Sequence, residues 1–166
     1  MSISLQKGQK VNLSKDNVGL SKVIVGLGWD EVKQSKGFFS RKAQAIDCDA
    51  SAILLKNGKL CAKEDIIYFG NLANIPVEYD KIVVVVNIYQ AVQRKQHFGM
   101  IQNAFIRLVD THNNQEMYKY NLTESYSGMT AMIFGEIYRH NGEWKFNAIG
   151  QGTNDTSIEE LVRRYQ

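Results

Sequence analysis

Apolar and polar positions alternate in short runs along most of this chain, and the runs close on glycine, asparagine or charged residues. A two-residue period marks β-strands with one buried face. It predicts strands over residues 11–13, 22–27, 46–55, 66–69, 81–89, 104–109, 117–121, 131–138 and 144–149. Asn57-Gly58 and His140-Asn141-Gly142-Glu143 read as hairpin turns, because asparagine and glycine accept the positive φ that tight turns need. Helical periodicity is scarcer. Residues 90–98 have no β-branched run after Val92 and predict a short helix or an irregular crossing. Residues 157–165 predict a better helix. Thr156 or Ser157 caps it, Glu159 and Glu160 open it, Arg163 and Arg164 close it, and Ile158, Leu161, Val162 and Tyr165 form its apolar stripe. The pattern defines an all-β fold: a two-sheet β-sandwich with short peripheral helices and a C-terminal helix.

With 166 residues the chain fits a single domain, 1–166, long enough to bury a core without disulfide staples. A formal charge of +3 with no lysine and arginine cluster gives no nucleic-acid footprint, so no such partner is expected. The N-terminal MSISLQKGQK lacks the apolar stretch of a secretory signal. The run from Ile82 to Tyr89 is interrupted by Asn87 and is too short to span a bilayer, so no transmembrane segment is expected. Cys48 and Cys61 sit among apolar neighbours and read as two buried thiols in a reducing compartment, which makes a cytoplasmic location the default.

Within the third long strand lies IDCDAS, residues 46–51. Alternation puts Asp47, Asp49 and Ser51 on one face and Ile46, Cys48 and Ala50 on the other. Two carboxylates side by side repel, and the offset must come from a cation, from Arg41 or Lys42, or from open solvent. Further oxygen donors occur at Asp30, after the GLGW segment and read as loop-borne, at Glu64 and Asp65, and at Asn71 and Asn74. Oxygen-rich sets without histidine suit hard cations, and calcium takes about 6–8 oxygens in irregular geometry. No EF-hand pattern is present.

Enzymatic signatures are weak. His97, His112 and His140 have no zinc spacing, and Ser51, Ser125 and Ser127 lack the flanks of a nucleophile elbow. GLGWD (26–30) lacks the third glycine of a dinucleotide fingerprint; Gly26 and Gly28 read as turn residues beside Trp29, and Gly150 and Gly152 as hinges before the last helix. The chain is therefore expected not to be an enzyme. The alternative is a metal-dependent enzyme or small-ligand binder using the same acidic cluster.

Taken together, SLQKGQKVNLSK (4–15), VIVGLGWD (23–30), IDCDASAILL (46–55), KIVVVVNIY (81–89), FGMIQNAFIRLVD (98–110) and residues 120–152 resemble the TerD family of tellurite-resistance and general stress proteins. That resemblance implies a calcium-binding, non-enzymatic β-sandwich with Ca2+ as its ligand. It implies protein partners among related stress proteins, extending to the inner face of the membrane. Carried onto this sequence, the family's acidic motif falls on Asp47 and Asp49, with Asp30 and Asn71 as weaker metal candidates. One departure stands out. Family members carry a long acidic, glycine-rich segment where this chain passes almost directly from Leu72 to Ile75. Either the segment is deleted or it is missing from this sequence; a like-charged loop that is mobile without its cation favours the second.

Overall fold

The computed structural model describes residues 2–17, 19–20, 22–32, 45–68 and 75–166. These residues form ten strands: β1 (Ile3–Leu5), β2 (Lys10–Asn12), β3 (Val23–Glu31), β4 (Cys48–Leu55), β5 (Ile66–Tyr68), β6 (Lys81–Ile88), β7 (Ile101–Asp110), β8 (Gln115–Asn121), β9 (Ala131–His140) and β10 (Glu143–Thr153). Three short helices accompany them: α1 (Leu13–Asp16), α2 (Ala91–Arg94) and α3 (Ile158–Val162). One sheet has the order β1-β8-β7-β3, the other β2-β10-β9-β6-β4-β5. All pairs are antiparallel except β1 with β8. This is the two-sheet sandwich that the alternation predicts.

The main core fills the space between the sheets, with Ile106, Leu108 and Tyr118 from one side and Val84, Val86, Phe134 and Phe146 from the other. A second cluster lies on the opposite face of the six-stranded sheet, where Ile53, Leu55, Val83, Val85 and Ile133 meet Ile158, Leu161 and Val162 of α3. β6 is thus buried on both faces, which is why it reads as an unbroken run of valines instead of an alternating one. α3 starts where Ser157 accepts a hydrogen bond from the Glu160 amide at 3.3 Å. Its far end is fastened by the Leu60 amide, which donates to the Tyr165 carbonyl at 2.7 Å.

The N-terminal residues tie the sheets together at one side. β1 pairs with β8 in the first sheet, β2 pairs with β10 in the second, and the Gly8 amide donates to the Ala148 carbonyl between them at 2.7 Å.

Several sequence expectations need correction. Asp30 is not loop-borne, because β3 continues to Glu31. Gly26 and Gly28 are strand residues that make room for cross-strand side chains. A Cβ at Gly28 would lie 2.5 Å from the Phe105 ring, and one at Gly26 would lie 2.9 Å from Arg107 Nε. Gly150 and Gly152 belong to β10 and do not precede a free hinge. Cys61 is exposed, since the turn at Asn57-Gly58 carries it past the end of β4, whereas Cys48 is half-buried against the main core.

Candidate metal centre

β4 presents its odd-numbered residues to the face that α3 covers further along, and its even-numbered residues to the inter-sheet core. Asp49 and Ser51 therefore share the outer face, as alternation requires. Asp47 immediately precedes the strand and is exposed; its carbonyl accepts the Tyr89 amide at 2.8 Å, which anchors it beside the end of β6. Asp49 stands directly across from Asn87 of β6, and Ser51 across from Val85. Burial pushes the Asp49 carboxyl above its usual range, and the neighbouring Asp47 charge adds to this. Among the described residues no lysine, arginine or histidine forms an ion pair with either aspartate.

Glu31 joins this end of the molecule. Its Oε1 accepts the Ile46 amide at 2.8 Å. Burial, with the charges of Asp47, Asp49 and Glu31 added, pushes the Cys48 thiol up to about 12. That thiol is protonated and inert at neutral pH.

The weaker candidates lie elsewhere. Asp30 accepts a hydrogen bond from Asn103 Nδ2 at 2.9 Å and lines a depression with Phe105, Lys119 and Thr123 on the four-stranded sheet. It alternates with Leu27 and Trp29, which pack on the inter-sheet core, and so faces away from the six-stranded sheet, unlike its neighbour Glu31. Asn71 lies outside the described residues. Asp65 is buried and satisfied by the Cys61 and Ala62 amides and the Tyr79 hydroxyl, so it has a structural role. Asn87 and Glu31 were missed by sequence reasoning. The signal for Asn87 was a lone amide inside an apolar run; the signal for Glu31 was a strand that alternation carries past Trp29.

A hard cation suits the chemistry of this end. Ser51 is only 5% exposed, yet its hydroxyl oxygen has no hydrogen-bond partner among the described residues. An orphaned buried oxygen beside a carboxylate with a raised pKa, facing an amide, is an all-oxygen donor set of the kind calcium accepts. The number of donors is short. Among the described residues no three His, Cys, Asp or Glu side chains are grouped to hold a metal ion.

The pKa direction carries a sign. A carboxyl whose folded pKa is raised contributes nothing adverse below its unfolded value, and its penalty sets in as pH rises through the folded value. Asp49→Asn is therefore expected to stabilise chelator-treated protein at pH 7, by less than about 1 kcal/mol because the group is still partly screened by solvent, and to leave stability unchanged near pH 3. Thermal melts at the two pH values measure it.

Two solved structures share this β-sandwich fold. A protein of unknown function has a TM-score of 0.62 at 19% identity, and a homologue of the telluride resistance protein TerD from Streptomyces coelicolor A3(2) has 0.59 at 16%; each match covers 89% of this chain and 99% of the other. Those likenesses establish the fold. The chain belongs to the TerD domain family, whose model matches residues 1–74 and 71–165.

Among its relatives, Stress response protein SCP2 of Bacillus subtilis (strain 168) is 48% identical over 99% of this chain and 100% of its own length. General stress protein 16U of the same organism is 42% identical, and Tellurium resistance protein TerD of Serratia marcescens 43%, each over 92% of this chain and 91% of the relative. The alignment with SCP2 spans 198 positions against a chain of 166 residues, so SCP2 carries residues with no counterpart here. The two family matches meet at residues 71–74.

Proposed function

We propose that this protein is a non-enzymatic, calcium-binding stress-response module of the cytoplasm. In it Asp47 and Asp49 grip a divalent ion, with Ser51 and Asn87 as neutral oxygen donors. One observation carries the reading: among the described residues, which do not include Arg41 and Lys42, two neighbouring carboxylates have no cationic partner and stand next to a buried hydroxyl with no hydrogen-bond partner. A cation would relieve the repulsion and satisfy the hydroxyl together. The remaining oxygens would come from water.

Because calcium would bind the folded chain and not the unfolded one, occupancy would stabilise the fold by linkage. The ordered, charge-compensated surface would then engage a protein partner, such as another stress protein at the inner face of a membrane. The names of the relatives, which speak of stress response and tellurium resistance, support the physiological setting.

Isothermal titration with calcium chloride, followed by thermal melts, tests the proposal. Calcium at one hundred times its dissociation constant is expected to stabilise the protein by about 2.7 kcal/mol. Asp47→Ala combined with Asp49→Ala is expected to abolish both the heat and the shift. A wild-type protein that gives neither at millimolar calcium overturns the reading.

A further inference from the structure

The end of the sandwich opposite the acidic residues holds a cavity of about 430 Å³. It opens where the first residues of β3 face the start of β6 and the adjoining ends of β9 and β10. Its apolar walls are Leu13, Val23, Val25, Ile82, Ile137 and Trp144. Leu13 and Ile82 are almost wholly shielded from solvent, at 2% and 3% exposed, so the inner wall is core, while Ile24, 51% exposed, lies at the mouth. Short side chains at Val23 and Val25 leave the two sheets unfilled here, whereas well-packed sandwiches interdigitate across this gap.

Two cations, Lys22 and Arg139, also line the cavity, and no carboxylate is among its described lining residues. Neither cation forms an ion pair among the described residues. The Arg139 guanidinium lies over the Trp144 ring at 4.5 Å, and the Trp144 backbone is held by its amide, which donates to Ser14 Oγ at 2.9 Å. A guanidinium held over an indole still has N–H donors to offer a carboxylate, with less side-chain entropy left to lose on binding.

An apolar slot with an unpaired positive rim complements one kind of small molecule: an aliphatic tail ending in a single anion. We propose that this cavity binds a medium-chain aliphatic carboxylate, its tail between the sheets and its head on Arg139 and Lys22. The tail displaces water from a slot that offers it few hydrogen bonds, and the head finds charge-assisted partners. The site is independent of the proposed calcium site. Ile82 lies near one end of β6 and Asn87 near the other, roughly 17 Å apart along the strand.

Calorimetry of the whole chain with decanoate, below its micelle concentration, tests this. Acetate, decanol and phosphatidylglycerol vesicles serve as the other arms. Decanoate is expected to bind saturably at one site with or without a calcium chelator, while acetate gives no heat. Decanol, and decanoate with Arg139→Gln or Lys22→Gln, are each expected to bind about tenfold more weakly. Val25→Phe, which fills the slot, is expected to abolish binding; the two surface variants keep the test decisive should that variant misfold. Decanol binding as tightly as decanoate, decanoate heat unchanged in both charge variants, or protein that sediments with vesicles yet ignores decanoate would each overturn the proposal.

Discussion

Phe134→Ala is expected to lower the free energy of unfolding by about 3–5 kcal/mol. Urea denaturation measures it, and an unchanged slope would confirm that only the folded state has suffered. Phe134 is fully buried and is among the largest such side chains. Its position comes from an irregularity. β6 pairs Val84 with Gly135 and Val85 with Ile133, so Phe134 has no partner on that strand. The extra residue shifts the alternation, and as a result Phe134 and Ile137, three apart, both face the inter-sheet core. Removing the ring would leave a void that a strand held on both sides cannot close. A loss below about 1 kcal/mol would mean that the bulge does not aim this ring inward.

Gly150→Ala is expected to cost about 2–4 kcal/mol, combining left-handed backbone strain with overpacking. Gly150 sits at φ +61°, opposite the same irregularity, where Ala148 pairs with Gly135 and Gln151 with Ile133. A Cβ there would fall 2.1 Å from the Tyr120 hydroxyl. The hydroxyl cannot readily retreat, because Tyr120 is only 3% exposed and the neighbouring Tyr126 donates to the Gly150 carbonyl at 3.2 Å. Tyr120→Phe removes the closest atom but leaves the ring carbon Cζ at 2.9 Å and the backbone strain. In a double-mutant cycle Tyr120→Phe should therefore recover part of the Gly150→Ala loss and leave the rest. Full additivity of the two changes would contradict the steric account.

These two positions also show where reading by pattern stops. Strands such as β7 and β8 are legible because one face is wet, and every second residue declares it. β6 is legible by its β-branched run alone. The bulge in β9 and β10 is not, since it depends on how three strands share hydrogen bonds, a relation between residues far apart in sequence. α1 was likewise hidden. Leu13 looks like the end of a strand, yet Asn12 Oδ1 accepts the Lys15 amide at 2.9 Å and turns the chain into a helix there. At the candidate site, the shared face of Asp49 and Ser51 followed from alternation alone. Their cross-strand companion Asn87 required the register between β4 and β6, and Glu31 required the end of another sheet. Neither is local information.

The tie made by residues 3–12 has a consequence for the newborn protein. Ile3, Ser4 and Leu5 join Tyr118, Lys119 and Tyr120, and Lys10, Val11 and Asn12 join Asn147, Phe146 and Lys145. These residues are thus made well before the strands they pair with, which lie far along the chain. Until β10 emerges, two sheet margins stand open, and that interval is when the nascent chain is most in need of a chaperone.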